Sequence, residues 1–321
     1  MQNLQVQVSA IPHKKRERQR FLRRVKKSWR MYVLLLFPLL YLLIFHYYPM
    51  FGVQIAFKQF DATKGIWGSD WVGFAQFKKF FTSPQFWRIL PNTVTLSLYA
   101  LVAGFPLPIL LALTLNTIRN QQYKRIIQTV TYIPHFISVV VIVGMLMSVF
   151  SPRSGVVGTM YSALTGNTMP DLFAKPSSFR HLYVWSGIWQ GMGWSSIIYM
   201  AALSGVDPEL HEAATIDGAS RFCRVWTIDL PMILPTAVIL LILSCGSIMS
   251  VGFEKIYLMQ NTLNLRASEV ISTYVYKVSM TAGGGDFSYG TAIGLFNSVI
   301  NMAMLVLVNT VSKKVTSESL W

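Results

Sequence analysis

The chain contains six apolar blocks of about 20 residues or more, and none of them carries an aspartate, glutamate, lysine or arginine. A helix of about 20 residues spans the hydrocarbon core of a bilayer, so each block is long enough to cross it once. Hydrophobic residues make up 53% of the 321 residues and charged residues only 13%, about half the charged fraction of an average soluble domain. The sequence therefore predicts an all-α integral membrane protein with six transmembrane helices. They occupy residues 31–51, 91–118, 126–150, 181–203, 232–253 and 287–311.

Positive charge is concentrated on what we expect to be one side of the membrane. The formal net charge is +15, and ten of the 28 lysines and arginines lie within the first 30 residues, directly before the first block. A basic stretch next to a transmembrane helix is typical of the cytoplasmic side, where it also meets anionic lipid. Arg119, Lys124 and Arg125 after the second block, and Lys313 and Lys314 after the last, carry the same sign. Since six spans return the chain to its starting side, we expect a multi-pass membrane protein with both termini in the cytoplasm.

The basic arm lacks the aromatic and base-reading pattern of nucleic-acid binders, so we expect contact with membrane lipid and no nucleic-acid partner. Cys223 and Cys245 are too few for a disulfide or metal framework, and no metal site is predicted. The first block is too long for a cleaved signal peptide, and we interpret it as an anchor. The predicted regions are a cytoplasmic basic arm at 1–30, the first transmembrane anchor at 31–51, an external aromatic-rich segment at 52–90, a five-helix core at 91–311 and a cytoplasmic tail at 312–321.

A short amphipathic pattern precedes the last block. Val270, Ile271, Tyr274, Val275 and Val278 recur at helical spacing and make one apolar face. The pattern predicts a short helix at the membrane interface.

The loop between the fourth and fifth blocks, residues 205–231, carries the clearest local signals. Asp207 is a suitable N-cap, Pro208 suits the first helical position, and Gly218 is a natural stop. Ser220 can cap a further helix. The sequence therefore predicts two short helices in this loop, on the same side of the membrane as the termini.

One face of the first of these helices carries small and apolar side chains. Leu210, Ala213, Ala214 and Asp217 fall on it, with Glu212 beside them. Two adjacent alanines give a flat surface for close approach, and the carboxylate offers a charge to an arginine on a partner. These residues alone favour equally two interpretations of the helix: a docking surface for a partner, and a capped connector between spans.

The whole loop fits the pattern E-A-A-x3-G-x9-I-x-L-P without a gap, at Glu212, Ala213, Ala214, Gly218, Ile228, Leu230 and Pro231. The segments YIPHFIS at 132–138 and FSYGTAIGLFNSVIN at 287–301 extend the likeness over nearly the whole chain from residue 30. On these motifs the sequence resembles the permeases of binding-protein-dependent ABC importers of the maltose-permease type. Within them it looks similar to the oligosaccharide branch, which includes permeases for alginate or rhamnogalacturonan oligosaccharides.

The resemblance implies the type I ABC importer permease fold, with a cytoplasmic coupling helix in the loop between spans four and five. It implies a second permease subunit, expected to be a different chain, an extracytoplasmic solute-binding protein and a cytoplasmic ABC ATPase dimer that holds ATP and Mg²⁺. It also implies an oligosaccharide substrate, and a chain that is a transport subunit without a cofactor and not an enzyme. The residues that the loop pattern and its helical face assign to ATPase coupling are Leu210, Glu212, Ala213, Ala214, Asp217, Gly218, Ile228, Leu230 and Pro231.

The sequence contains no phosphate-binding loop of the form G-x-x-x-x-G-K-[ST], in keeping with ATP being bound by a partner. The main alternative is an ion-coupled secondary transporter. Such proteins usually hold an ionisable residue within the bilayer, and the six blocks have no acidic or basic side chain apart from histidine. An ABC permease for a different small solute and a scaffold without a transport path also stay open.

Polar side chains inside spans are costly unless they face protein or water, which makes them candidates for a substrate path. Hydrogen bonds between packed helices are the alternative for the same residues. The candidates are Gln190, Asn297, Ser298 and Asn301, with Trp189, Trp194 and Tyr199 as stacking partners.

Overall fold

The computed structural model describes residues 26–281, 285–315 and 319–321, so most of the basic arm and part of the tail lie outside the described residues. The chain divides into a unit that ends at Gln54 and a unit that runs from Ile55 to Trp321. In the first unit, helix α1 (Trp29–Leu42) continues through a π-turn at Leu43–Tyr47. A 3-10 segment at Tyr48–Phe57 follows, and its last three residues belong to the second unit. Residues 31–45 are all apolar or aromatic, which is the composition of a helix surrounded by lipid.

Among the described residues of the second unit, the regular elements are helices apart from one antiparallel pair of two-residue strands, β1 (Lys58–Gln59) and β2 (Asp70–Trp71). The predicted all-α class is confirmed. The helices of its first half are α2 (Gly65–Gly68), α3 (Ala75–Thr82), α4 (Phe86–Gly104), α5 (Pro106–Thr117), α6 (Gln121–Tyr132), α7 (Val139–Val149) and α8 (Val156–Thr165). Those of its second half are α9 (Pro176–Leu203), α10 (Pro208–Ile216), α11 (Arg221–Arg224), α12 (Leu230–Gly246), α13 (Phe253–Met259), α14 (Leu265–Ser268), α15 (Ile271–Tyr276) and α16 (Phe287–Val315).

Four helical segments of the described chain are long and apolar enough to cross a membrane, and a bent pair makes a fifth. The four are Trp29–Phe57, Phe86–Thr117, Arg221–Gly246 and Phe287–Val315. The predicted span at 181–203 falls within α9, whose 28 residues are long enough to cross. Because α9 is rich in glycine, serine and tryptophan, it is less apolar than these four.

The predicted span at 126–150 is not one continuous helix, because the structure breaks it into two helices bent by 100°. The break follows a 3-10 turn at Ile133–Phe136 that contains Pro134. Proline lacks the N–H group that would continue the α-helical hydrogen bonds. Ile137 is then extended, and Ser138 caps the next helix by accepting a hydrogen bond from the Val141 N–H at 3.3 Å.

Helix α9 lies at the centre of the packing and contacts α4, α5, α6, α12 and α14. Gly193 allows its approach to α6, because a Cβ at this position would clash with the carbonyl oxygen of Thr131. The predicted amphipathic helix before the last span is present as α15. Its apolar face packs on protein: Val270 and Ile271 are buried, and Ile271 joins Tyr289 and Ile293 of α16 in one cluster.

Candidate functional site

Helix α10 begins and ends at the residues that the sequence predicts. The Asp207 carboxylate accepts a hydrogen bond from the Glu209 N–H at 3.0 Å, and Pro208 occupies the first turn. The helix ends at Ile216, and Gly218 adopts a left-handed φ of +78°, a conformation that costs glycine little. Local capping rules therefore account for both ends of this helix.

The second predicted helix of the loop is correct at its start but not at its end. The Ser220 hydroxyl accepts a hydrogen bond from the Cys223 N–H at 3.2 Å and caps α11. Instead of stopping, α11 continues through a π-turn at Val225–Asp229 into α12, so that Arg221–Gly246 is one helix. The widened turn precedes Pro231, whose ring would otherwise meet a backbone carbonyl of the preceding turn.

The two halves of the E-A-A pattern have different surroundings. Glu212, Ala213 and Gly218 are exposed, and Ala214 is half-buried. Of the other predicted coupling residues, Leu210, Asp217 and Pro231 are exposed, whereas Ile228 and Leu230 are half-buried. Both of these pack on a core cluster that contains Tyr199, Leu203 and Ile233. The first half of the pattern is thus a surface, and the second half fixes the loop to the helix bundle.

Apolar side chains next to the E-A-A residues are also exposed. Ile216 is 87% and Phe222 72% exposed, and Leu210 is exposed as well. Exposed apolar groups grouped on one loop are typical of a protein interaction site.

A buried carboxylate connects this loop to two other helices. Asp229, which is 2% exposed, places Oδ1 3.2 Å from Nε2 of His211 in α10. The same oxygen accepts a hydrogen bond from Nδ2 of Asn116, near the end of α5, at 3.2 Å. Arg224 donates from Nη1 to the Thr215 hydroxyl at 2.6 Å. The sequence analysis missed these contacts; the only signal was an aspartate next to an apolar run, which requires a partner when buried.

Two adjoining cavities lie along α4, α5 and α9. The larger measures about 600 Å³, and the predicted path residues Trp194 and Tyr199 line it. The smaller measures about 290 Å³, and Gln190 lines it together with Tyr183 and Lys255. Both cavities share the lining residues Ala100, Gly104, Pro108 and Ser195. Volumes of this order suit small organic ligands.

The stacking and amide candidates near these cavities already have partners within the chain. The Trp194 ring stacks on His135 with centroids 4.5 Å apart, and Gln190 donates from Nε2 to the Ile137 carbonyl at 3.1 Å. Trp189 is exposed and lines neither cavity.

The predicted polar residues of the last span lie apart from these cavities. Asn301 accepts from the Met249 N–H at 2.9 Å and donates to Ser250 Oγ at 2.8 Å, so it joins α16 to the segment after α12. Ser298 donates to the carbonyl of Gly294 in its own helix, and Asn297 Oδ1 is buried without a hydrogen-bond partner among the described residues. The contacts of Asn301 match the interhelical alternative.

A second buried carboxylate lies at the other end of Phe86–Thr117. Glu269, 2% exposed, pairs with Arg88 and lies 3.7 Å from Nζ of Lys277. Asn92 donates to the Glu269 carbonyl at 3.1 Å and accepts from Arg180 at 3.0 Å. Charged and amide groups thus fix the start of α4 to the segment before α15.

These features define a multi-span helical membrane protein with an exposed helical loop and open cavities along its central helix. The chain belongs to the family described as binding-protein-dependent transport system inner membrane component, whose profile matches residues 104–317. It is therefore the permease subunit of an ABC transporter, a class that assembles with a second permease, an ATPase and a solute-binding protein.

Individual relatives match over nearly the whole chain. The chain is 44% identical to Protein LplB of Bacillus subtilis (strain 168) over 297 residues, 92% of each chain. It is 38% identical to the polygalacturonan/rhamnogalacturonan transport system permease protein YteP of the same organism, covering 98% of this chain and 97% of the relative. A chain in the crystal structure of a bacterial alginate ABC transporter, in complex with an alginate pentasaccharide-bound periplasmic protein, superposes with a TM-score of 0.85 at 37% identity. That match covers 94% of this chain and 100% of the other.

Proposed function

We propose that this permease forms part of the path by which an acidic oligosaccharide, a fragment of a uronate-containing polysaccharide, enters the cell. The observation that carries the proposal is similarity along the full length to two transporters of such material. YteP is named for polygalacturonan and rhamnogalacturonan, and the structural relative is an importer of alginate. These polysaccharides share carboxylated sugar rings, which is the chemistry we assign to the substrate.

We propose further that the chain crosses the membrane six times, with α9 as the fourth span and the bent pair α6–α7 as the third. The glycines, serines and tryptophans of α9 suit a helix surrounded by other helices rather than by lipid. Six spans put both termini and the 205–231 loop on one side, and the basic residues at both ends favour the cytoplasm. The proposed regions are the basic arm, anchor, external segment, five-helix core and tail given above.

Helix α10 is the proposed contact with the ATPase, which holds the ATP and Mg²⁺. Its exposed E-A-A face, with Ile216 and Phe222 beside it, supplies the docking surface. Movement of α10 is transmitted to α12 through the packing of Ile228 and Leu230 and through the contact between His211 and Asp229. The ATPase thereby binds the two conformations of the helix bundle with different affinity, which is the requirement for coupling.

The test uses the purified complex of both permeases and the ATPase in lipid vesicles, with the binding protein and an alginate pentasaccharide or a rhamnogalacturonan fragment. E212A removes the exposed carboxylate, and G218V strains a left-handed backbone position. We expect E212A to lower substrate-stimulated ATP hydrolysis about tenfold, the effect of losing one charge-assisted contact. G218V should also lower it, because the strained position displaces the E-A-A face. Membrane insertion stays intact.

E209Q is the matched control, because Glu209 lies on the same helix outside the E-A-A pattern. Stimulation that is unchanged in E212A and G218V refutes the coupling role. Uptake by the chain alone without ATP would instead support the ion-coupled alternative.

A further inference from the structure

The smaller cavity contains a buried cation that has no counter-ion among the described residues, and we infer that Lys255 binds the carboxylate of a uronate ring as the substrate passes. This inference rests on the proposed function and deepens it, because it assigns the recognition of the acidic group to one side chain of the permease.

The surroundings of Lys255 do not neutralise it. The residue is 8% exposed, and within the described ranges its buried Nζ has no hydrogen-bond partner. The nearest aromatic ring, that of Tyr183, lies 5.4 Å from Nζ and supplies only a weak cation–π attraction. Gly187 lines the same cavity, and a Cβ added there would lie 3.5 Å from Nζ, so the ammonium lies directly beside this glycine.

A second buried lysine shows what a purely structural role looks like in this protein. Lys58 is 2% exposed, and its Nζ donates to the Ile66 carbonyl at 2.8 Å and lies 5.0 Å from the centre of the Trp71 ring. The Ile66 carbonyl and the Trp71 ring therefore stabilise its charge in place of water. Lys255 has no such carbonyl among the described residues, so the fold alone does not explain it.

The charge of Lys255 persists near neutral pH. Burial lowers the pKa of this side chain to about 8, so the ammonium form still predominates at pH 7. Lys255 lies in α13, outside the membrane-spanning segments. An ammonium that is kept charged and desolvated favours an anionic ligand that can take its hydrogen bonds.

The cavity suits a carboxylated sugar in particular. Its lining residues, all within the described part of the chain, include no aspartate or glutamate that would repel a carboxylate. Tyr183 offers an aromatic face to a sugar ring, and Gln190, whose Nε2 is already used, has an amide oxygen to accept from a hydroxyl. The lining shared with the larger cavity gives a chain of several rings room to extend.

The experiment measures uptake into vesicles by the complete complex with two pairs of probes. Each pair is an acidic oligosaccharide, the alginate pentasaccharide or a rhamnogalacturonan fragment, and its carboxyl-reduced neutral counterpart. The variants are K255M, K255Q and K255R, with K58M as the control for loss of a buried lysine. Co-purification of all subunits shows that each variant has assembled, and K255Q replaces K255M if the latter does not assemble.

We expect K255M to lower uptake of the acidic probe about tenfold or more, the effect of losing a hydrogen bond to a charged group, and uptake of the neutral probe less than about twofold. K255R, which keeps the charge, should retain most uptake, and K58M should affect both probes equally. Equal loss of both probes in K255M, or no loss of either, overturns the inference. If the binding protein does not deliver the neutral probe, the variants are compared on the acidic probe alone. Uptake of the acidic probe that is retained in K255R but lost in K255Q supports the inference, and equal loss in both variants overturns it. Failure of the wild-type complex to take up the acidic probe refutes the proposed function itself, and the inference falls with it.

Discussion

The two ends of the long helical segment Phe86–Thr117 each meet a buried carboxylate, but the two carboxylates are held differently. At the start of α4, Glu269 has two cationic partners, Arg88 and Lys277. At the end of α5, Asp229 contacts the amide of Asn116 and the imidazole of His211. Two cations contact the carboxylate at one end. At the other end an amide and an imidazole are its direct contacts, and the Arg224 guanidinium acts on it only from further away.

We expect the difference to separate a fixed end of the bundle from an end that can rearrange. A buried carboxylate between two cations is strongly destabilised when a partner is removed, which opposes movement. Hydrogen bonds between an amide, an imidazole and a carboxylate have a smaller net energy and exchange more readily. The Asp229 end lies next to the exposed face of α10, where we propose that the ATPase docks.

The largest expected loss of stability is at the fixed end, where Arg88 and Lys277 pair with Glu269. R88M leaves the Glu269 carboxylate buried with only the more distant Lys277, and we expect a loss of about 3 kcal/mol in stability. A thermal unfolding midpoint of the purified protein in detergent measures it. The combination of R88M with E269Q should recover part of the loss, because no unpaired charge is then buried.

The control for this variant is K64M, which breaks the exposed pair between Lys64 and Asp70 and should cost less than about 1 kcal/mol. An R88M midpoint no lower than that of K64M would remove the basis for calling this end fixed.

A smaller effect is expected at the loop end. D229L deprives His211 and Asn116 of their common acceptor and should cost about 1–2 kcal/mol, while D229N keeps an acceptor oxygen and should cost less. The same unfolding measurement ranks them, and substrate-stimulated ATP hydrolysis should fall more in D229L than in D229N. A larger stability loss in D229L than in R88M would reverse the comparison of the two ends.

The smallest effect on stability is expected on the exposed face itself. I216S replaces a side chain that is almost fully exposed and should change stability by less than about 0.5 kcal/mol. It should nevertheless weaken retention of the ATPase on the permease during purification. L164S, an equally exposed change on α8, is the control. Equal retention in I216S and L164S would show that this face does not dock the ATPase.

Sequence reasoning succeeded where structure depends on neighbours along the chain. The cap at Asp207, the stop at Gly218 and the cap at Ser220 follow from local backbone chemistry, and all three are present. The family also follows from spacing within one loop. In these cases the residues that determine the structure lie within a few positions of one another.

Reasoning from the sequence failed where a contact joins residues that are far apart along the chain. It also failed where a local helix-breaking residue opposes the hydropathy pattern. The apolar run at 126–150 predicts one helix by hydropathy, but Pro134 within it outweighs the run and produces the bend. Asp229 and Asn116 are 113 positions apart, and no periodic pattern relates them. The lack of a hydrogen-bond partner for Lys255 Nζ among the described residues likewise depends on three-dimensional packing, which a single sequence does not display.

The π-turn at Val225–Asp229 shows why the number of residues in the E-A-A pattern affects the orientation of the loop. Such a turn holds one residue more than an α-helical turn, and one residue corresponds to a rotation of about 100° around the helix axis. The number of residues between Gly218 and Pro231 therefore sets the angular phase of the loop relative to α12. Gain or loss of a single residue there would turn the alanine face more than a quarter of the way around, with every side chain on it chemically unchanged.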